Sequence, residues 1–415
     1  MNMRSDTASW TIKFTLLNVF YFIAFCTIHA YAAVYLLAHG FSNTEVGILL
    51  AVANISSAVC QPFIAGLIDK PGPLTNRGFI IFSVCAILAG SLVLMAVQDN
   101  KPVIFAVYAF IYMIQFTYQP VVTAICFEYQ KAGCNIIYGL SRGLGSAGFA
   151  VCSAVIGGPV ERGGVFLLLI VNVAAMAASA VVMLFFKKPA SARVTDSEPA
   201  ASGPRARASA EDQAHNDIRE FVRIYPAYAL FLTAIVCFFF AHNMINDFMI
   251  QIIRSLGGAE TELGYSNFLQ AILELPVMAL IGLILKKISA KNLLLISGMA
   301  FLVKTVILIF ARSMTAMYIS QSFQILAYAV FIPAAAYYVS ETMSGSDQVK
   351  GQAFITTAIT AGGIFSNFIC GRILDSLGVK PMIVTGAAVC AVGVVIAFIA
   401  MKKLRDVAPC SEGLK

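Results

Sequence analysis

The sequence predicts an all-α membrane protein with twelve transmembrane helices in two six-helix bundles. Hydrophobic residues make up 59% of the 415 residues, charged residues make up 12%, and the mean hydropathy is +0.83. A protein in water would reach such values only with a very large exposed apolar surface. Most stretches between polar breaks hold about 20 apolar residues, enough for a helix to cross a hydrocarbon core of roughly 30 Å. One long polar stretch divides these segments into two equal sets.

Helices are expected because backbone groups in lipid must be bonded within their own segment, and the alternating pattern of barrel strands is absent from the sequence. The expected spans are 14–36, 45–67, 78–97, 103–127, 138–157, 164–186, 226–250, 262–285, 292–310, 314–339, 351–375 and 380–401.

The long polar stretch predicts the domain organisation. It is rich in Pro, Ala, Ser and charges of both signs, which is typical of a linker. We therefore expect an N-terminal six-helix bundle at 1–187, a cytoplasmic linker at 188–223 and a C-terminal six-helix bundle with a short tail at 224–415.

The distribution of lysine and arginine predicts the orientation in the membrane. If the N-terminus is cytoplasmic, the outer loops hold only Lys101, Arg162, Arg254, Arg312 and Lys380, and the other basic loop residues lie inside. This bias predicts a multi-pass protein of the inner (cytoplasmic) membrane with both termini in the cytoplasm. The formal net charge of +7 then follows from topology and does not indicate a nucleic-acid partner.

The sequence lacks the motifs of an enzyme. It has no GxxxxGK[ST] loop, no GxGxxG motif after a strand and no HExxH motif, and its cysteines and histidines lack metal-ligand spacing. We therefore expect no catalytic residues, cofactor or metal. The expected partners are the lipid bilayer and a small-molecule solute, and the chain can work as a monomer.

A short repeat relates the two halves. AGLIDKPG ends the second span, GRILDSLG ends the eleventh, and both fit small-x-x-x-Asp-x-x-Gly. Glycine permits a tight turn, and Asp can accept hydrogen bonds at a helix N-terminus. The pair predicts conformational or gating roles for Asp69, Lys70, Gly72, Asp375 and Gly378. Two ordinary helix-ending turns are the alternative.

Several further segments carry a family resemblance. They are Gln61-Pro62 before Asp69-Lys70, YGLSRGLG at 138–145, Gly264-Tyr265 and KNLLL at 291–295. In these segments and their order the chain resembles the major facilitator superfamily, and within it the oligosaccharide:proton symporter (lactose permease-like) family. The resemblance implies two bundles around a central water-filled cavity, alternating access from each side and no cofactor.

Arg142 and Phe149 are the first candidate substrate-binding residues. In the family resembled, an arginine at the first position holds the sugar and a tryptophan at the second stacks on it. The seven-residue spacing puts both side chains on one helical face. The alternative is an interfacial arginine beside a core phenylalanine.

Charged residues inside spans are costly and therefore point to function. Glu274 is expected to bind substrate and carry the coupling proton, although the family's glutamate aligns with Ala271. Lys304 aligns with an arginine of the family's proton-coupling group and is expected to pair with Glu274. In the tenth span Gln324 and Ala327 replace the family's His and Glu, which departs from its proton route. A structural hydrogen bond is the alternative for Glu274.

The seventh span carries a dense polar cluster. His242 and Asn246 share one face, and Asn243 and Asp247 share another. We expect His242 and Asn246 to bind substrate and Asp247 to be a second proton carrier. The alternative is a cluster that is solvated at the membrane boundary.

Neutral amides with aromatic residues in the fourth and tenth spans suit a hydroxylated ligand, since they bond hydroxyls without a counter-charge. We expect Gln119 and Gln324 to contact the substrate, with contacts between helices as the alternative role. The leading functional hypothesis is proton-coupled uptake of a neutral sugar, oligosaccharide or nucleoside. Efflux of drugs or sugars by the same fold is the second hypothesis, and a non-transporting membrane sensor is the third.

Overall fold

The computed structural model describes residues 3–70, 72, 74–188, 218–343 and 346–403. In these ranges the regular structure is helical. The helices are α1 (Met3–Phe25), α2 (Ala32–Ala38), α3 (Asn43–Ile68), α4 (Asn76–Ala96), α5 (Lys101–Lys131), α6 (Tyr138–Gly163), α7 (Phe166–Phe185), α8 (Ile218–Ile224), α9 (Pro226–Asp247), α10 (Met249–Ser255), α11 (Glu260–Lys287), α12 (Ala290–Phe310), α13 (Met314–Ser322), α14 (Tyr328–Thr342), α15 (Ser346–Leu377) and α16 (Val379–Lys403). A π-helical turn at Cys26–Ala30 follows α1, and a 3₁₀ turn at Phe323–Ile325 follows α13.

Eleven of the helical segments in the described ranges are long and apolar enough to cross a membrane. A twelfth span is obtained when the two parts of α11, Glu260–Val277 and Ala279–Lys287, are counted together across a bend of 55°. Pro276 lies beside this bend and lacks the N–H that a continuous helix would use. The predicted all-helical membrane fold is confirmed.

The chain forms two compact units. Unit 1 comprises Met1–Ser197 and Gly258–Ala271, and unit 2 comprises Glu198–Gly257 and Ile272–Lys415. Residues 189–217 of the predicted linker lie outside the described residues, whereas its last residues form part of α8. That helix is held because Phe221 is buried against Tyr228 and Phe354. The domain bounds that we expected from the sequence stay a prediction.

The two units repeat a packing pattern. In unit 1, α1 packs on α6 and α7, and α4 packs on α5 and α7. In unit 2, α9 packs on α15 and α16, and α12 packs on α14 and α16. The first and third spans of each unit therefore make equivalent contacts, although the two units share only weak sequence similarity.

Glycine explains why the start of α11 groups with unit 1. A Cβ atom at Gly264 would collide with the Ser153 carbonyl oxygen of α6, and a Cβ at Gly157 would collide with the backbone at Glu260. Larger residues would force α6 and the first turns of α11 apart. The side chain of Thr261 also donates a short hydrogen bond to Glu161 of α6.

The repeated Asp-x-x-Gly segments adopt different turns. Gly378 has φ +90° and donates its N–H to the carbonyls of Ile373 (3.1 Å) and Leu374 (3.2 Å), which closes α15. Gly72 does not have a left-handed φ. Asp69 ends α3, and its N–H donates to the Ala65 carbonyl at 3.0 Å. The side chains of Asp69, Lys70 and Asp375 are exposed.

Candidate functional site

The tenth span is broken where it passes through the interior of unit 2. Between α13 and α14 the chain makes the 3₁₀ turn, and Ala327 has φ −78° and ψ −93°, outside the helical range. The Ala327 carbonyl accepts a hydrogen bond from Ser297 Oγ at 2.7 Å in addition to the helical one from the Phe331 N–H at 3.0 Å. Gln324 lies in this break and is 2% exposed.

Three side chains from three helices form a hydrogen-bonded chain at the break. Lys304 of α12 has 0% exposure and donates from Nζ to Gln324 Oε1 at 2.9 Å. Gln324 Nε2 donates to Glu274 Oε1 of α11 at 3.1 Å. We call this arrangement the Lys304–Gln324–Glu274 chain. The expected pairing of Lys304 with Glu274 takes this bridged form, and one amide links the two opposite charges.

His242 and Asn246 lie next to this chain. Asn246 Nδ2 donates to His242 Nε2 at 3.0 Å, and the His242 ring stacks on Tyr328 with centroids 5.2 Å apart. Lys304 lies close to the imidazole. His242 is 5% exposed, so it belongs to the interior of unit 2 rather than to a solvated membrane boundary.

Asp247, four residues after Asn243, faces another helix. The groups beside its carboxylate are Asn367 and Cys370 of α15. The seventh span thus contributes to two polar clusters, one around His242 and one around Asp247.

In unit 1, Arg142 and Phe149 both face α1. The Arg142 guanidinium carbon lies 4.3 Å from the centroid of the Phe22 ring, and Nη1 donates to Ser146 Oγ at 2.7 Å. The Phe149 ring lies 6.3 Å from Phe25. No ion pair of the described residues includes Arg142. Its charge is therefore stabilised by an aromatic face and a hydroxyl.

Sequence reasoning missed His29 of unit 1, whose two ring nitrogens are buried. Its ring stacks on Phe25 at 3.9 Å, lies 3.8 Å from the Tyr112 ring and lies next to Gln115. Neither ring nitrogen has a hydrogen-bond partner of normal geometry among the described residues. A histidine inside the apolar first span was the signal that could have identified it.

A π-helical turn sets the direction of His29. Such turns are rare and cluster at functional sites, because they leave carbonyl groups without a helical partner. Here Asn172 Nδ2 and Thr27 Oγ1 both donate to the Ala24 carbonyl, at 3.1 Å and 2.9 Å. Tyr108 Oη donates to the Ile28 carbonyl at 2.7 Å. Side chains of α5 and α7 thus stabilise the turn.

The amides of the fourth and tenth spans occupy different environments. Gln115 and Gln321 are fully buried, and within the described part of the chain their amide atoms have no hydrogen-bond partner. Gln119 is half-buried on α5. Buried amides without partners are costly, so these side chains have unused capacity to bond a polar ligand.

These features define a class of protein. Membrane-spanning helical units that enclose opposite charges and unused polar groups are typical of transporters. The chain belongs to the MFS_1 like family, whose model matches residues 10–385.

Similar proteins agree with this class. "Uncharacterized transporter YwbF" of Bacillus subtilis (strain 168) is 23% identical over 346 residues, 81% of this chain and 80% of that protein. The crystal structure of the nucleoside transporter NupG matches with TM-score 0.73 and 16% identity over 98% of this chain and 100% of that chain. A bacterial homologue of the human lysosomal transporter Spinster, inward-facing and unoccupied, matches with TM-score 0.71 and 12% identity over 96% of this chain and 97% of that chain. The protein has the major facilitator fold and is a membrane transporter, not an enzyme.

Proposed function

We propose that this transporter takes up a neutral, hydroxylated solute, a sugar, oligosaccharide or nucleoside, in symport with protons and by alternating access. We further propose that it lies in the cytoplasmic membrane as a monomer with both termini in the cytoplasm, as its basic loops suggest. The observation that carries the proposal is the Lys304–Gln324–Glu274 chain at the break of the tenth span.

The Lys304–Gln324–Glu274 chain suits proton coupling because one proton changes its charge balance. A fully buried ammonium group needs a compensating negative charge, and Glu274 supplies it through Gln324. A proton on Glu274 removes that charge and turns the carboxyl group into a donor. Gln324 Nε2 then faces a neutral and weaker acceptor, so the amide can exchange it for a new partner.

A solute hydroxyl can be that new partner, since a hydroxyl both donates and accepts hydrogen bonds. Proton and solute would then be coupled through Gln324, the only neutral member of the Lys304–Gln324–Glu274 chain. His242 and Asn246 next to the chain add further donors and acceptors without net charge. This supports a neutral solute, because an anion or a cation would upset the balance of Lys304 and Glu274.

Unit 1 is proposed to recognise the solute. Arg142 has a planar five-donor fork that matches paired hydroxyls, and Phe149 offers a flat apolar face to a ring. Gln119 is a half-buried amide on α5. The similarity in fold to a nucleoside transporter is a reason to test nucleosides beside sugars.

The test follows the internal pH of vesicles that contain the purified protein when single sugars or nucleosides are added outside, without an imposed gradient. We expect one class of compound to acidify the interior. Glu274→Gln should abolish the acidification and still exchange labelled solute, whereas Glu274→Asp should retain both.

The matched control is Glu341→Gln, because Glu341 is an exposed carboxylate of the same unit. It should acidify like the unchanged protein. Exchange of labelled solute without acidification in the unchanged protein would overturn proton coupling. If acidification persists in Glu274→Gln, the coupling proton is carried by another residue.

A further inference from the structure

A second polar cluster of unit 2 lies between α9 and α15, apart from the Lys304–Gln324–Glu274 chain. Glycines bring the two helices close together: a Cβ atom at Gly362 would lie 2.7 Å from the Val236 carbonyl oxygen, and one at Gly363 would lie 2.8 Å from Asn243 Nδ2. One turn further along both helices, Asn367 lies beside Asp247. The helices therefore run in the same direction and stay in register over this contact.

The side chains that α15 brings to this contact are buried without partners. Asn367 and Ser366 both have 0% exposure. Both amide atoms of Asn367 and the hydroxyl of Ser366 lack a hydrogen-bond partner within the residues that the structure describes. An amide so buried is normally bonded, so its oxygen and the hydroxyl next to it have unused coordinating capacity.

Asp247 brings a negative charge to this cluster. Its carboxylate is half-buried, and the ion pairs of the described residues do not include it. Lys304, the buried cation of this unit, is hydrogen-bonded to Gln324 instead. A carboxylate within a membrane-spanning helix is costly until a cation or a proton neutralises it.

We propose that Asp247, Asn367 and Ser366 bind a monovalent cation, sodium, between α9 and α15. A carboxylate, an amide oxygen and a hydroxyl are hard oxygen donors, the ligands that hard cations prefer. One sodium ion neutralises one carboxylate, whereas a divalent ion would leave a net charge in the membrane. The role of the ion in transport rests on the proposed function, but its binding does not.

The experiment measures cation binding to the purified full chain in detergent, independently of transport. Choline chloride is replaced by NaCl, LiCl or KCl at constant ionic strength, and the melting temperature is recorded together with binding of radioactive sodium. Sodium should raise the melting temperature saturably, and potassium should not exceed choline. Glu341→Gln, an exposed change in the same unit, should show the same shift.

Asp247→Asn and Asn367→Leu should lose both the shift and the bound sodium. Ser366→Ala is the mild variant if either of these fails to fold, and it should raise the half-saturating sodium concentration roughly tenfold. A sodium-specific shift that survives in Asp247→Asn, or the same melting temperature in all four salts, would overturn the proposal. If solute transport is absent but sodium binds as described, the proposed function fails and this inference stands.

Discussion

Arg142 of unit 1 and Lys304 of unit 2 are two cations to which the family resemblance assigns different roles, and they lie in opposite surroundings. Arg142 is half-buried over the Phe22 ring, with Ser146 as its hydrogen-bond partner and no ion pair among the described residues. Lys304 is fully buried and linked by Gln324 to the carboxylate of Glu274. Glu274 balances the charge of Lys304, whereas Arg142 has no counter-charge among the described residues.

From this difference we propose that unit 1 recognises the solute and unit 2 couples it to protons. The net charge of Lys304 and Glu274 changes when Glu274 takes up one proton, which suits proton coupling. The Arg142 guanidinium group stays charged and can exchange one hydrogen-bond partner for another, which suits recognition of a solute.

The largest expected effect is on stability when the charge balance in unit 2 is broken. Glu274→Gln leaves Lys304 without its counter-charge and should lower the free energy of unfolding by about 2–3 kcal/mol, less than for a fully buried pair because Glu274 is half exposed. Lys304→Gln should cost less, since the remaining Glu274 can take up a proton. Equilibrium unfolding in detergent micelles measures both changes.

The double variant decides whether the two residues act as a pair. Lys304→Gln with Glu274→Gln should unfold within about 1 kcal/mol of the unchanged protein, because neither charge is then left alone. Glu341→Gln, an exposed change in the same unit, is the control and should have no measurable effect. If the double variant loses as much unfolding free energy as the two single variants together, Gln324 does not couple the two charges.

The second prediction concerns recognition by Arg142. Both Arg142→Lys and Arg142→Gln should raise the KM for the solute roughly tenfold or more, since the loss of hydrogen bonds from a charged fork costs about 1.5–3 kcal/mol. The number of protons moved with each solute molecule should not change. Simultaneous records of internal pH and labelled solute in vesicles give both values.

Arg162→Lys is the matched control, because Arg162 is an exposed arginine near the end of the same helix. It should leave KM and stoichiometry unchanged. If Arg142→Gln alters the proton stoichiometry instead of KM, the proposed division between recognition and coupling is wrong.

The third prediction tests His29, the unpartnered ring of unit 1. Replacing His29 by Phe removes two buried nitrogens without partners and keeps a ring between Phe25 and Tyr112. The free energy of unfolding should rise by about 1 kcal/mol, whereas solute affinity should fall about threefold to tenfold, as expected for one hydrogen bond. Thermal unfolding and solute binding on the same preparation separate the two effects.

His39→Phe is the comparison variant in the same unit. Its Nδ1 lies 2.8 Å from the Tyr35 carbonyl oxygen, so the substitution removes a satisfied hydrogen bond and should lower stability slightly. A drop in stability for His29→Phe as well would assign His29 a structural role in the π-helical turn.

Much of the fold could be predicted from the sequence because burial in lipid leaves a strong compositional signal. The spans followed from apolar length, and Lys304 and Glu274 stood out because charges are rare there. The bridging position of Gln324 could not be predicted. It depends on the break before α14, which Ser297 stabilises from another helix, and a single-sequence pattern does not contain such tertiary contacts.

The orientation of His29 was equally inaccessible. A regular helix turns about 100° per residue, so the one extra residue in a π-helical turn rotates every later side chain to a new face. That turn is held by Asn172 and Tyr108, which lie far away in sequence. Helical periodicity alone would therefore have placed His29 on the wrong side.

The smallest expected effect compares the two copies of the Asp-x-x-Gly segment. Gly378 has φ +90°, which an L residue adopts at a cost of about 1–2 kcal/mol, so Gly378→Ala should lower the free energy of unfolding by about that amount. Gly72 lacks this conformation, and among the described residues a Cβ there would contact the Lys70 carbonyl oxygen at an ordinary 3.8 Å. Gly72→Ala should therefore change stability by less than about 0.5 kcal/mol. Parallel unfolding of both variants tests this, and equal losses would mean that the repeat imposes the same turn on both units.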